Sequence, residues 1–172
     1  MDLQLPRGPM LRLPVGVPLY LHWSVPAMGA SVATLPFMAG GRDISGFTGF
    51  LFMTAFIVLL VLIHEIGHAL AAWASGARVR AIVLHAGGGL CFAEGVPETR
   101  AGVVLFLCGG VIAQAVAFLC AALAIWLLGP PSAPWLIWGA IVFLGLNPVF
   151  MLFSIIPYRS NDAALLIQEL RR

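Results

Sequence analysis

Four apolar stretches, separated by short polar or glycine- and proline-containing segments, organise the chain. The first, His22 to Gly40, is weak, because Pro26 and Pro36 interrupt it. The second runs from Phe47 to Trp73, the third from Val103 to Leu128, and the fourth from Trp135 to Ile156. Each of these three reaches the roughly 20 residues that a helix needs to span hydrocarbon. The pattern predicts an all-α membrane protein of about four transmembrane helices, the first of them marginal and open to an interfacial or re-entrant reading. One region departs from it. Val79 to Leu84 is rich in β-branched and aliphatic residues, Gly87-Gly88-Gly89 follows, and Leu90-Cys91-Phe92 comes next. Two short extended runs around a glycine turn predict a small β-hairpin, with a glycine-rich linker as the alternative.

Composition agrees with the bilayer as solvent. Of the 172 residues 61% are hydrophobic and 9% charged, and the mean hydropathy is +1.02. A soluble domain would carry about a quarter charged residues. The expectation is a single integral-membrane domain over residues 1–172, with no room for a sizeable soluble module. A net charge of +2 gives no case for a nucleic-acid partner. All nine basic residues are arginine. If all four stretches cross, Arg7, Arg12, Arg78, Arg80, Arg100, Arg159, Arg171 and Arg172 fall on one side, and Arg42 alone on the other. Positive charge marks the cytoplasmic side, which puts both termini and the middle loop there. Cys91, Cys108 and Cys120 form no CxxC pair and argue for neither a thiolate site nor a disulfide framework. Four prolines within the first twenty residues break any signal-peptide core.

Two further features lie in the third and fourth stretches. Gly109, Ala113, Ala117 and Ala121 recur at four-residue spacing, a stripe that lets another helix approach closely. Simple alanine richness is the alternative. Gln114 beside it is a polar group at membrane depth, expected to bond a neighbouring helix or the site. Pro148 is expected to bend the fourth helix.

The chemistry is concentrated in His64-Glu65-Ile66-Gly67-His68, an HExxH motif at the end of an apolar run. Residues four apart share a helix face, so both imidazoles can bind one Zn²⁺. Glu65 is offset by about a hundred degrees, which suits it to take a proton as general base rather than to be a ligand. An ionisable glutamate and two histidines at membrane depth cost several kcal/mol without partners, and a metal supplies the partner. A third ligand is needed, and His22, His85, Glu94, Glu98 and Asp162 are the candidates. Asp162 is favoured, because it follows the fourth stretch on the same side and at similar depth. Its alternative role is to cap the helix predicted over Ala163 to Leu170, unless Ser160 or Asn161 does so.

HEIGH in a membrane helix, with an aspartate after a later helix, resembles the site-2 proteases, the intramembrane zinc metalloproteases. Gly16 to Ser24 is similar to that family's entry to its first span, and Gly87 to Glu94 to its glycine-containing hairpin near the active site. Val104 to Ala121 resembles its Gly-Pro-x-x-Asn helix, with Gly110 on the motif and Gln114 at the asparagine position. Asn147 to Asp162 resembles its Asn-x-x-Pro…Asp-Gly segment, with Pro157 five residues before Asp162. Ser154 replaces the usual asparagine, Asn147 stands seven residues earlier, and Ala163 replaces the final glycine. The resemblance implies a zinc endopeptidase that cleaves membrane-protein substrates in or near their transmembrane segments, in regulated proteolysis. It implies Glu65 as base, His64, His68 and Asp162 as ligands, and Gly87, Gly88, Gly89 and Asn147 as substrate-binding residues. The expected location is a bacterial cell membrane, as a multi-pass protein with its site toward the cytoplasm. A membrane-protein regulator is compatible with this reading. So is a non-proteolytic protein that keeps the metal site for structure or binding.

Overall fold

The computed structural model describes residues 10–27, 47–95, 99–158 and 161–171. The chain is mostly helical. Helix α1 is Phe47–Ala74, α2 is Arg100–Leu128, α3 is Pro134–Ala140, α4 is Asn147–Ile155 and α5 is Asp162–Leu170. A π-helical segment, Ile141–Leu146, joins α3 to α4 in one continuous rod. Among the described residues three helices are long and apolar enough to cross a membrane: Thr48–Ala74, Arg100–Leu128 and Pro134–Ile155. They match the second, third and fourth apolar stretches. Residues 28–40 of the first stretch lie outside the described residues, and so does the crossing expected there.

The β-structure is larger than the predicted lone hairpin. Strands β1 (Met10–Arg12), β2 (Pro18–Leu21), β3 (Arg78–His85) and β4 (Gly88–Glu94) form one sheet in the order β1-β2-β3-β4. The hairpin is present as β3 and β4, closed by Ala86–Gly87. The first two strands are three and four residues long and bear no readable alternation. They exist because β2 pairs in parallel with β3, setting Leu19 beside Ile82 and Leu21 beside Leu84. Gly16, at φ 80°, closes the turn between them with a bond from its N–H to Leu13 O of 2.8 Å. That left-handed conformation favours glycine.

The core lies where the sheet meets α1 and the rod. Ile57 and Leu60 of α1, Leu84 of β3 and Val142 of the π segment are fully buried. On the other flank α1 and α2 approach backbone to backbone. A Cβ on Gly67 would collide with Gly109 O and the Ala113 methyl, and one on Gly109 with Gly67 O. Lipid is as apolar as the side chains, so association in a bilayer depends on such close packing rather than on apolar burial. The small-residue stripe therefore has a partner, the HExxH turn of α1.

Pro148 accounts for the π segment. Proline lacks an N–H, and its ring clashes with the carbonyl four residues back. The preceding wide turn absorbs this: the N–H of Asn147 reaches Val142 O, five residues back, instead of four.

Candidate metal centre

His64 and His68 lie one turn apart on α1, six to ten residues before its end, or about 9–15 Å along the axis. Their Nε2 atoms face each other at 3.1 Å. Asp162, the first residue of α5, places Oδ2 at 3.4 Å from His64 Nε2 and 3.2 Å from His68 Nε2. The other ring nitrogens are held from α2. His68 Nδ1 donates to Phe106 O at 2.7 Å, and His64 Nδ1 to Gln114 Oε1 at 3.2 Å. With Nδ1 the donor on each ring, both Nε2 lone pairs point at the Asp162 carboxylate.

Three acceptor atoms so close repel one another unless a cation stands among them. Tetrahedral zinc with bonds of about 2.0–2.1 Å keeps its donors about 3.3–3.4 Å apart, close to the spacing seen. Two imidazoles and a carboxylate also form a donor set of the catalytic kind. Gly110 of α2 makes the room. A Cβ there would overlap the His64 and His68 rings at the point where their Nε2 atoms converge. These three residues could hold a metal ion, and the local geometry fits zinc.

Asn161 brings Asp162 into place. It caps α5 by accepting from Ala164 N at 3.1 Å, so Asp162 is not needed as the cap. Its amide also donates to Ile156 O at 2.9 Å and Phe153 O at 3.3 Å, the open end of α4. The sequence pattern suggests the cap but not the bonds back to α4. The far end of α5 is tied down by Arg100, which donates to Leu170 O.

The rival ligands have other partners. Glu94 pairs with Arg80 at 2.6 Å on the exposed face of the hairpin. His22 bonds Ser24, and His85 accepts from Gly87 N. Glu98 lies outside the described residues.

Glu65 is buried, at 4% exposure, and faces the sheet. It lines a cavity of about 680 Å³ that also takes in the metal cluster, Gly87 to Gly89 of the hairpin, and Gln114. Cys91 on β4 borders the same cavity, and burial, then the nearby Glu65 charge, push its thiol up to about 12. Its sulfur is not among the three converging donors, which are His64, His68 and Asp162. Asn147 does not reach the cavity. It is fully buried, and its side-chain amide donates to Gln114 O at 2.8 Å, with Oδ1 left unpartnered.

The family model for the peptidase M50B-like proteins matches residues 46–160. The chain belongs to this metallopeptidase family. Its fold is also similar to that of a solved structure, the site-2 protease from Methanocaldococcus jannaschii, with a TM-score of 0.66 at 17% identity, covering 96% of this chain and 72% of that one. No curated protein matches the sequence. As an M50B-like peptidase with three bilayer-length apolar helices, the protein is an integral membrane protein.

Proposed function

We propose that this M50B-like peptidase is a zinc-dependent intramembrane endopeptidase that hydrolyses peptide bonds in or near the transmembrane segments of membrane proteins, from the cytoplasmic side. The observation that carries the proposal is the position of Glu65: a buried carboxylate between the His64–His68–Asp162 cluster and the β4 strand, on a helix of membrane length. A zinc ion held by the three donors would act as a Lewis acid toward water and the scissile carbonyl. Glu65 takes the proton from the attacking water and returns it to the leaving amine. Gln114 and the Phe106 carbonyl hold the imidazoles with Nε2 inward.

A transmembrane helix hides its carbonyls in hydrogen bonds and must unwind to be cut. Among the described residues strand β4 ends the sheet, with no strand paired to its outer edge. An unwound substrate can add to that edge as a strand, which would bring its backbone beside Glu65 through Gly88 and Gly89.

The test is Glu65→Gln. A transmembrane peptide with fluorophore and quencher flanking its cytoplasmic half, reconstituted with the enzyme in vesicles, should be cleaved by the wild type and not by the variant. Both should hold about one zinc per chain. Cleavage that survives the substitution would remove Glu65 as base. A wild type that binds zinc and cleaves no such peptide would favour a binding role for the site.

A further inference from the structure

His22-Trp23-Ser24 has no part in the metal cluster, and neither does His85, yet all four stand beside the β3–β4 turn. In a two-residue hairpin turn the two central N–H groups have no partner in the ladder. Here both are taken by side chains. Ala86 N donates to Ser24 Oγ at 3.0 Å, across 62 residues of sequence, and Gly87 N donates to His85 Nδ1 at 3.0 Å.

Ser24 is itself held. Its Oγ lies 2.6 Å from His22 Nδ1, and its backbone N–H points at the same nitrogen at 3.3 Å. Nδ1 is therefore the acceptor, Ser24 O–H donates to it, and the hydroxyl oxygen is free to receive Ala86 N–H. His22 N in turn donates to Leu84 O at 2.9 Å, which extends the β2–β3 pairing to the rim of the turn. Trp23 is 83% exposed, with its ring centroid 5.3 Å from that of His22.

We propose that His22, Ser24 and His85 form a polar clip that fixes the Ala86–Gly87 turn above the cavity, as positioning residues for the bound substrate. Ala86 through Gly89 line that cavity, and Gly89 abuts Glu65. A turn free to swing must be ordered before a strand can add to the β4 edge, so the clip acts on substrate binding and not on the metal. This rests on the peptidase reading of the cavity.

Ser24→Ala should raise KM for the quenched transmembrane peptide about fivefold, the equivalent of one ordinary hydrogen bond of about 1 kcal/mol, with kcat and zinc content unchanged. Ser24→Thr, which keeps the hydroxyl, should restore KM. His22→Phe should match Ser24→Ala, and the double variant should be no worse than either, because the pair acts as one unit. Amide exchange at Ala86, read by NMR in micelles, should quicken about fivefold in Ser24→Ala. An unchanged KM together with unchanged Ala86 exchange overturns the clip. So does a fall in zinc content, which would assign these residues to the metal site, and so does a double variant whose effect is the product of the two singles. If the wild type cleaves no peptide, faster Ala86 exchange in Ser24→Ala still upholds the clip, and the failure belongs to the peptidase reading.

Discussion

Gly89 of β4 lies directly against the Glu65 side chain of α1, so close that a Cβ built on it would overlap the carboxylate. No side chain fits between this strand and the base. Gly89→Ala must displace either the carboxylate or the strand, and a misplacement of about 1 Å at a reacting group costs on the order of a hundredfold in rate. We expect about that loss in kcat for peptide cleavage, with zinc still bound, because Glu65 is not among the three converging donors. Cleavage at the wild-type rate would show that the strand yields freely.

Gln114 holds His64 through Nδ1, and Asn147 holds the backbone carbonyl of Gln114. Outer partners of ligating histidines typically govern metal affinity by 10–100-fold. Gln114→Leu should weaken zinc binding by about that factor in competition with a chelator. Gln114→Glu keeps an acceptor toward Nδ1 and should bind zinc nearer to wild type. Equal affinities in all three proteins would detach Gln114 from the metal site.

Much of this site is legible in local pattern, and the illegible parts share a cause. Hydropathy is local, so the ends of α1, α2 and the α3–α4 rod fall within a few residues of those the apolar stretches predict. Helical spacing alone pairs His64 with His68, and the triple glycine marks the hairpin. Strands β1 and β2 escape notice because three or four residues carry no period, and their stability comes from a parallel partner far along the chain. Pro148 announces a bend, but not that the bend is a π turn. That extra residue rotates the rest of the rod by about 100°, and it accompanies an Asn147 that faces Gln114 rather than the cavity. Gln114 is visible as a polar residue at depth, while its bond to His64 depends on the helix approach at Gly67 and Gly109.

Asp162 and Glu94 offer a clean contrast. Asp162 touches both imidazoles, whereas Glu94 is engaged with Arg80 on an exposed face. Asp162→Ala should lower zinc occupancy and abolish cleavage. Glu94→Ala should leave occupancy unchanged and alter stability by less than about 1 kcal/mol, the usual range for an exposed pair. Asn161→Ala leaves the ligand in place but removes the cap and the ties to α4, so its zinc affinity should fall between those two. Zinc retained in full by Asp162→Ala would recast the aspartate as an unliganded neighbour of the cluster.

The orientation of the site can be tested from both ends of the described chain. Strands β1 and β2 stand in the same sheet as the hairpin, so the chain around Met10 lies on the side of the sheet. The rod returns to that side at Ile155, and α5 remains there against α2. Arg12, Arg78, Arg80, Arg100 and Arg171 are all associated with this side, while the Gly129–Ala133 connection opposite carries no charge. Positive residues favour the cytoplasm. Reporters fused at Met10 and at Arg171 should therefore both read cytoplasmic, and one inserted at Ser132 should read the opposite side. Agreement of the two ends requires an even number of crossings, one more than the three described helices supply, as the first apolar stretch predicts. Opposite readings at Met10 and Arg171 would leave three crossings. A reversed result at all three points would place the metal centre on the outer side and give Glu65 a different population of substrates.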